Sequence, residues 1–260
     1  MQQNNRILIA LDLDGTSVIY SPRLEMNPEL VEFLASIRDQ GVAWVMNSDR
    51  YTDTMADIAS LLPAEQKPLG LLSCQRFIHL LDGEKSYLPV EPWNQQQIQL
   101  HTVLWKKIRP FFPEWQSQVE ARFTIRETVV NDMVFAYMVA PDQTPALRRL
   151  MQQFTEDFPD AQISGNHDWT FILHVAFSKA RILQKCADIL CIPPDKVIAI
   201  GDGINDISML DGSVTKLVGC PANGAPDVMH AVRMVGGIIA QASEAAGTLE
   251  IIRAYLDRLL

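Results

Sequence analysis

Solid apolar runs and helical apolar stripes alternate along the first ninety residues. Ile7-Leu8-Ile9-Ala10-Leu11 has the bulk and length of a strand buried on both faces, and it stops abruptly at Asp12-Leu13-Asp14-Gly15-Thr16. A short polar, β-prone piece from Ser17 to Glu25 follows. Asn27-Pro28-Glu29 reads as an N-cap, a first-turn proline and a first-turn acid, with Leu30, Phe33, Leu34 and Ile37 making the apolar stripe and Gly41 the stop. Val42 to Asn47 is the next buried strand, ending in Ser48-Asp49-Arg50. A helix over Tyr51 to Leu62 is stopped by Pro63, and Leu69 to Cys74 is a third apolar strand. Strand, helix, strand, helix, strand in this order predicts a parallel sheet with right-handed crossovers.

The rhythm then changes. Phe77 to Leu81 and Glu84 to Val90 read as a hairpin turning at Asp82-Gly83. Gln95 to Phe112 carries a helical stripe, and Val119 to Thr128 and Met133 to Val139 alternate like antiparallel strands. Pro145 to Phe158 reads as a helix, and Ala161 to Ile163 and Thr170 to Val175 as two further strands. Residues 91–175 therefore predict an αββαββ unit with an antiparallel sheet. It is expected to be a cap domain inserted into an α/β core of residues 1–90 and 176–260. In that core the α/β rhythm resumes. A helix runs from Ser178-Lys179 to about Leu190, and a strand over Lys196 to Ile200 ends in Gly201-Asp202-Gly203-Ile204-Asn205-Asp206. A short helix starts at Ile207, a strand covers Thr215 to Gly219, and a helix covers Asp227 to Val232. A short Met234-Val235 strand and a last helix from Gly247 to Leu260 complete the expected core.

Composition narrows the function classes. The 260 residues are 48% hydrophobic and 20% charged, which is ordinary for a globular chain with a sizeable core. A net charge of −9 argues against nonspecific nucleic-acid binding. The apolar runs fall short of membrane-spanning length, and the polar start runs straight into the first strand. Cys74, Cys186, Cys191 and Cys220 lack Cys-x-x-Cys spacing and read as the reduced thiols of a cytoplasmic protein.

Four buried strands thus end in or near polar, site-like sequences: Asp12-x-Asp14, Ser48, Asp202-x-x-Asn205-Asp206, and Asn223 in a nearby loop. Lys179 stands at the mouth of a helix between them. Carboxyl ends of parallel strands share one sheet edge, so these groups are expected to converge. Residues two apart on a strand project to one side, and crowded carboxylates call for a hard cation or a shared proton. Several carboxylates, one lysine and one hydroxyl form a set suited to a Mg²⁺ ion and a phosphoryl group together. Carboxylate attack on phosphorus divides one hard displacement into two. A second acid can protonate the leaving oxygen and then deprotonate water, while lysine and hydroxyl donors hold the equatorial oxygens.

These motifs resemble the four of the haloacid dehalogenase-like (HAD) superfamily. Asp12-Leu13-Asp14-Gly15-Thr16, Ser48, Lys179 and Gly201-Asp202-Gly203-Ile204-Asn205-Asp206 match in order. The Asp-x-Asp-Gly-Thr form is that of its phosphatases. An insertion between the second and third motifs is similar to members with a C2-type cap. Ser178-Lys179-Ala180, Ile207-Ser208-Met209-Leu210 and Pro221-Ala222-Asn223-Gly224-Ala225-Pro226 look like the Cof-type and sucrose-phosphatase-like subfamily.

The resemblance implies a doubly wound core and a set of roles. Asp12 would be nucleophile and Mg²⁺ ligand. Asp14 would be general acid/base and would lend its backbone carbonyl to the metal. Asp202 and Asp206 would be metal ligands, Ser48 and Lys179 would bind phosphate, and Asn205 and Asn223 would support them, Asn205 at the phosphate. Two departures stand out. Ser48-Asp49-Arg50 replaces the usual Thr-Gly-Arg, which puts a carboxylate beside the phosphate site unless Arg50 or solvent absorbs its charge. Arg76 stands where relatives often have an Asn-Gly turn.

Plainer roles compete at several positions. Ser48 also suits a helix N-cap and Asp206 a cap of the Ile207 helix. Asn205 and Asn223 read equally as loop structure. In the cap, Arg122, Arg126, Asn166, His167, Asp168 and Trp169 read either as contacts to a leaving group or as a solvated face. His79, His101 and His230 fit structural or surface positions, and Trp93, Trp105 and Trp115 fit packing. The function expected is Mg²⁺-dependent hydrolysis of a small phosphorylated metabolite, with sugar phosphates in view, by a cytoplasmic monomer or homodimer. Nucleic acid and membrane are not expected partners. Phosphomutase activity, and a non-catalytic phospho-ligand-binding protein, are the alternatives.

Overall fold

A computed structural model of the protein describes residues 7–20, 23–83, 86–166 and 169–260. In chain order the elements begin with β1 (Ile7–Leu11), β2 (Val18–Ile19), β3 (Glu25–Met26), α1 (Pro28–Ser36), β4 (Val42–Ser48), α2 (Thr52–Ser60), β5 (Gly70–Ser73), β6 (Phe77–Asp82) and β7 (Ser86–Pro89). Then come α3 (Trp93–Ile108), α4 (Phe112–Glu120), β8 (Ile125–Val130), β9 (Phe135–Val139), α5 (Thr144–Thr155), β10 (Ala161–Ser164) and β11 (Trp169–His174). The chain closes with α6 (Lys179–Ile189), β12 (Val197–Ile200), α7 (Ile207–Leu210), β13 (Leu217–Cys220), α8 (Pro226–Val235), β14 (Ile238–Ile239) and α9 (Glu244–Leu259). The chain forms two compact units, one from the segments up to Asn94 and from Ser178 onward, the other from Gln95 to Phe177.

In the first unit eight of the described strands make one sheet in the order β14-β13-β12-β1-β4-β5-β6-β7, and β2 and β3 pair in a separate antiparallel ribbon. Strands β14 through β5 pair in parallel, and β6 and β7 add an antiparallel edge. Strands before the insertion step outward from β1, and those after it step outward from β12 in the opposite direction. The order therefore reverses between β1 and β12, which is where an open α/β sheet leaves a crevice beyond its carboxyl ends.

Strand β1 shows why a solid apolar run was needed. Ile7, Ile9 and Leu11 join one core with residues of α1, α2 and α9. Leu8 and Ala10 join the other with residues of α6, α7 and α8. Both faces of the strand are covered, and truncating such a buried residue to Ala costs about 2–5 kcal/mol. The helix signals also act as expected. Asn27 Oδ1 accepts from Leu30 N at 3.1 Å, and Ser178 Oγ accepts from Arg181 N at 3.1 Å. That second cap fixes where α6 begins, and so where Lys179 stands.

The second unit has a four-stranded antiparallel sheet in the order β10-β11-β9-β8. Its core is aromatic: the Trp115 ring stacks on Phe154 with centroids 5.1 Å apart, and Trp105 meets Phe112 edge-on at 5.8 Å.

Several expected elements are corrected here. The helix expected to end at Phe112 ends at Ile108, where Pro110 follows in a 3-10 turn over Arg109–Phe111. A further helix, α4, occupies most of the residues between there and β8, so the strand expected from Val119 starts only at Ile125. Phe112, Trp115 and Val119 are all buried, which is a helical spacing that outweighs the β-prone residues after it. The unit is therefore ααββαββ and not αββαββ. Met234-Val235 is the end of α8, which Gly236 closes at φ 77°, and the edge strand lies just beyond, at Ile238–Ile239.

Candidate active site

The carboxyl ends of β1 and β12 bring the predicted acids together. Asp12 follows β1, Asp202 lies two residues beyond β12, and Asp206 returns at the end of a short 3-10 turn. Carboxylate oxygens of Asp12, Asp202 and Asp206 lie within 4.8 Å of one another, and all three residues are buried. Lys179 is fully buried and bridges two of them, with Nζ 2.5 Å from Asp12 Oδ1 and 2.6 Å from Asp206 Oδ1. Its backbone carbonyl accepts from Asn47 Nδ2 at 3.1 Å, which ties the start of α6 to β4.

The second oxygen of Asp206 accepts from the backbone N–H groups of Asp202 (3.0 Å) and Gly203 (2.9 Å). Asp206 therefore clasps its own loop and faces the lysine, and it makes no side-chain cap to α7. Asp202 is held by Thr16 Oγ1 at 2.7 Å and by Asn223 Nδ2 at 3.3 Å. Asn223 also donates to Gly15 O at 2.8 Å and accepts from Glu244 N at 2.7 Å, so one side chain joins three loops. Gly15 has φ +77°, and a Cβ there would approach Asp202 Oδ2 to 2.3 Å. Only glycine lets the first loop pass so close to the second acid.

The Asp14 carboxylate is held by residues outside the triad. Arg50 Nε donates to its Oδ2 at 2.8 Å and Arg50 Nη2 to its Oδ1 at 2.6 Å. The Tyr20 hydroxyl also donates to Oδ1. Burial raises the Asp14 carboxyl, but these hydrogen bonds and the Arg50 charge outweigh it and hold it below the usual carboxylate range. Arg50 thus neutralises Asp14 and not Asp49, contrary to the role its position beside Asp49 first suggested. Asp49 receives Asn205 Nδ2 at 2.8 Å instead. Asn205 therefore points at Asp49, where a phosphate contact had been expected. Burial pushes the Asp49 carboxyl up, with Lys179 pulling it down.

Ser48 is buried at the end of β4, and its Oγ accepts from Arg50 N at 3.3 Å. Helix α2 is preceded by Tyr51 and takes no side-chain cap, so Ser48 is not a helix cap. The turn after β5 is made without glycine, with Cys74 at φ 53° and Gln75 at φ 57°.

Electrostatically the triad is under-neutralised. Burial opposes the charge on Lys179, yet Asp12, Asp206 and Asp49 outweigh it and hold the ammonium protonated far into the alkaline range. Burial, then Asp206, push Asp12 above the ordinary carboxylate value despite the lysine. Asp206 is raised likewise, by burial first. A buried all-oxygen set with this proton affinity suits a hard divalent cation, whose charge would replace the protons.

Most of the other predicted residues belong to the second unit. Arg122 and Arg126 are exposed on the second unit, just past α4 and on β8. His167 and Asp168 lie outside the described residues. Trp105 and Trp115 are core residues of the second unit, and His101 packs on Trp105 with ring centroids 4.2 Å apart. Sequence reasoning gave no role to Thr16, although its place in Asp-x-Asp-Gly-Thr was a signal. It missed Tyr20, which sits in a segment without a readable motif.

The sequence matches the haloacid dehalogenase-like hydrolase family over residues 109–245, more than half of the chain. Among curated proteins none matches it. Solved structures share the fold. The sucrose-phosphatase of Synechocystis sp. PCC6803, seen with sucrose and phosphate, is 18% identical with TM-score 0.73, covering 96% of this chain and 98% of its own. A HAD-superfamily phosphatase of Bacteroides thetaiotaomicron is 16% identical with TM-score 0.63, covering 97% and 96%. A haloacid dehalogenase-like protein of Bacillus subtilis is 11% identical with TM-score 0.58, covering 97% and 91%. With Asp12-x-Asp14, Lys179 and Asp202 meeting at the reversal of this sheet, the chain belongs to the haloacid dehalogenase-like hydrolases.

Proposed function

We propose that the protein is a Mg²⁺-dependent phosphomonoesterase that acts through an aspartyl-phosphate on Asp12. Its substrates would be small phosphorylated metabolites, with sugar phosphates the favoured class. The observation that carries the reading is Lys179 bridging Asp12 and Asp206 inside a buried acidic triad. That arrangement leaves one carboxylate beside a fixed cation and room in charge for a metal. The fold it shares with the sucrose-phosphatase supports the choice of substrate class.

The carboxylates of Asp12, Asp202 and Asp206, with the Asp14 backbone carbonyl, would hold the ion. Bound Mg²⁺ would offset the negative charge of the phosphoryl oxygens. An Asp12 oxygen attacks phosphorus, the P–O ester bond breaks, and the departing alkoxide takes a proton from the Asp14 carboxyl, which must first part from Arg50 and become protonated. Asp14, now a carboxylate, removes a proton from water. The water oxygen attacks phosphorus, the acyl-phosphate bond breaks, and orthophosphate leaves with Asp12 and Asp14 restored. Lys179 and Ser48 hold phosphoryl oxygens through both displacements. Arg122 and Arg126 are not needed for these steps. Four free cysteines support a cytoplasmic location.

The test is phosphate release from a panel of phosphorylated metabolites, with and without Mg²⁺, for the wild type and Asp12→Asn. Turnover that needs both the metal and Asp12 is expected. Silence on the whole panel at full metal occupancy overturns the reading.

A further inference from the structure

A groove of about 400 Å³ runs along α6 within the first unit. Arg181, Lys185 and Asp188 share the face of α6 that lines it, and Trp93, at the start of α3, and Ser213, after α7, line it too. Ser178 belongs to the groove, but Lys179 does not, because its ammonium is buried between Asp12 and Asp206. The groove is therefore a concavity distinct from the candidate active site. Its walls are held by their own bonds. Trp93 Nε1 donates to Arg76 O at 2.8 Å, Ser178 Oγ accepts from Arg181 N at 3.1 Å, and Ser213 N donates to Asp211 Oδ1 at 2.8 Å. A preformed concavity of this volume is of the size that takes a small molecule.

The chemistry of the lining says which molecule. The chain has 22 Lys and Arg against 31 Asp and Glu, yet two cations meet here. Arg181 and Lys185 stand one helical turn apart on α6, a spacing at which like charges repel. Among the described residues neither side chain has an ion pair; Lys185 instead holds its Nζ 5.9 Å from the centre of the Trp93 ring. Asp188, the acid of the groove, accepts from Gln184 Nε2 at 2.8 Å. We propose that the groove is a second ligand site, for a small anion that carries a flat ring, the chemistry of a nucleoside monophosphate. Its phosphate would lie between Arg181 and Lys185, where charge-assisted hydrogen bonds replace their repulsion. Its ring would lie on the indole of Trp93. Because Lys185 reaches over Trp93, the cations and the aromatic wall fall within the span of one such molecule. Neither a bare phosphate nor a bare ring would satisfy both. The proposal does not depend on the phosphomonoesterase reading.

The test is isothermal titration calorimetry of the full chain with AMP, in buffer containing EDTA so that Mg²⁺-dependent turnover does not intervene. Saturable binding of one AMP per chain is expected. Arg181→Ala and Lys185→Ala should each weaken it by about tenfold, the size of one hydrogen bond to a charged group. Arg181 is exposed, so its variant should melt at the wild-type temperature. Asp12→Asn, which alters the candidate active site, should bind AMP as the wild type does. Ribose 5-phosphate, which lacks the flat base, and adenosine, which lacks the phosphate, should each bind about tenfold more weakly than AMP. Absence of saturable binding up to millimolar AMP overturns the proposal. So does binding that Asp12→Asn abolishes or that both groove variants leave unchanged, because the ligand would then lie elsewhere. Ribose 5-phosphate binding as tightly as AMP overturns the assignment of a ring-bearing ligand. None of these results bears on phosphate release from the metabolite panel, so failure here and failure of the phosphatase reading are distinguishable.

Discussion

Asn205 donates its side-chain N–H to Asp49 across 2.8 Å, joining loops that lie 156 residues apart in the chain. One loop follows β4 and the other follows β12, so the bond ties the Ser48 end of the site to its Asp202–Asp206 end. Removing a donor from a buried carboxylate costs about 1–3 kcal/mol. Asn205→Ala should destabilise by that order, and Asp49→Gly should remove most of the penalty when combined with it. A double-mutant cycle by urea denaturation should give a coupling of about 1 kcal/mol. Additive effects would show that the two side chains act separately.

Gly15 leads to a sharper expectation. An alanine there must adopt φ +77° and place its Cβ 2.3 Å from Asp202 Oδ2, so either the loop or the acid must move. The left-handed backbone alone costs about 1–2 kcal/mol. Displacing the carboxylate proposed to hold the metal by about 1 Å is expected to cost on the order of a hundredfold in rate. Gly15→Ala should therefore melt slightly lower and lose most of its turnover, with a weaker Mg²⁺ requirement curve measured by titration.

Lys179 is fully buried between two acids, and removing one partner of such a cluster costs about 3–5 kcal/mol. Lys179→Met should show that loss in metal-free buffer, read by chemical denaturation. Mg²⁺ should restore part of the stability, because the site proposed for it exists only in the folded triad. Activity should stay low even in saturating metal, since the phosphoryl oxygens would lack their fixed cation.

Proton and metal compete for the same oxygens. Asp12 and Asp206 hold their protons more tightly when folded, chiefly through burial, than an ordinary aspartate with a value of 3.8 does. Above that value the unfolded chain has released protons that the folded one keeps, so the metal-free protein should lose stability as pH rises from about 5 to about 8. On the proposed reading Mg²⁺ would take the place of those protons. Its affinity should rise over the same range, and calorimetry in buffers of different ionisation heat should detect proton release on binding. A metal-free protein whose stability rises with pH over that range would contradict this assignment.

What could be read from the sequence and what could not divide along physical lines. Strand β1 and its two acids were legible because a strand buried on both faces must be apolar throughout, and a buried acid at its end needs a reason. The caps at Asn27 and Ser178 were legible because they are local chemistry. Helix α4 was hidden, because Phe112, Trp115 and Val119 share a face only once the helix exists, while the residues that follow Val119 favour strand. Asn205 and Arg50 were found as polar groups near the site, but their partners were not. Which acid each one faces depends on how two loops cross, and spacing along the chain does not encode that. Tyr20 carried no signal, because its partner lies in the preceding loop and its own segment is unpatterned.

Strand β1 pairs with β4, which follows it closely, and with β12, which lies beyond the whole inserted unit. During synthesis the first half of the core emerges with Asp12 and Asp14 but without Lys179, Asp202 or Asp206. One edge of β1 then stays open until β12 is made. Closing that gap is the pairing of longest sequence separation for β1, and such pairings form late. A nascent chain that stops after Phe177 would therefore carry Asp12 and Asp14 yet have no site. It would also present an open, wholly apolar strand to whatever in the cell guards such edges.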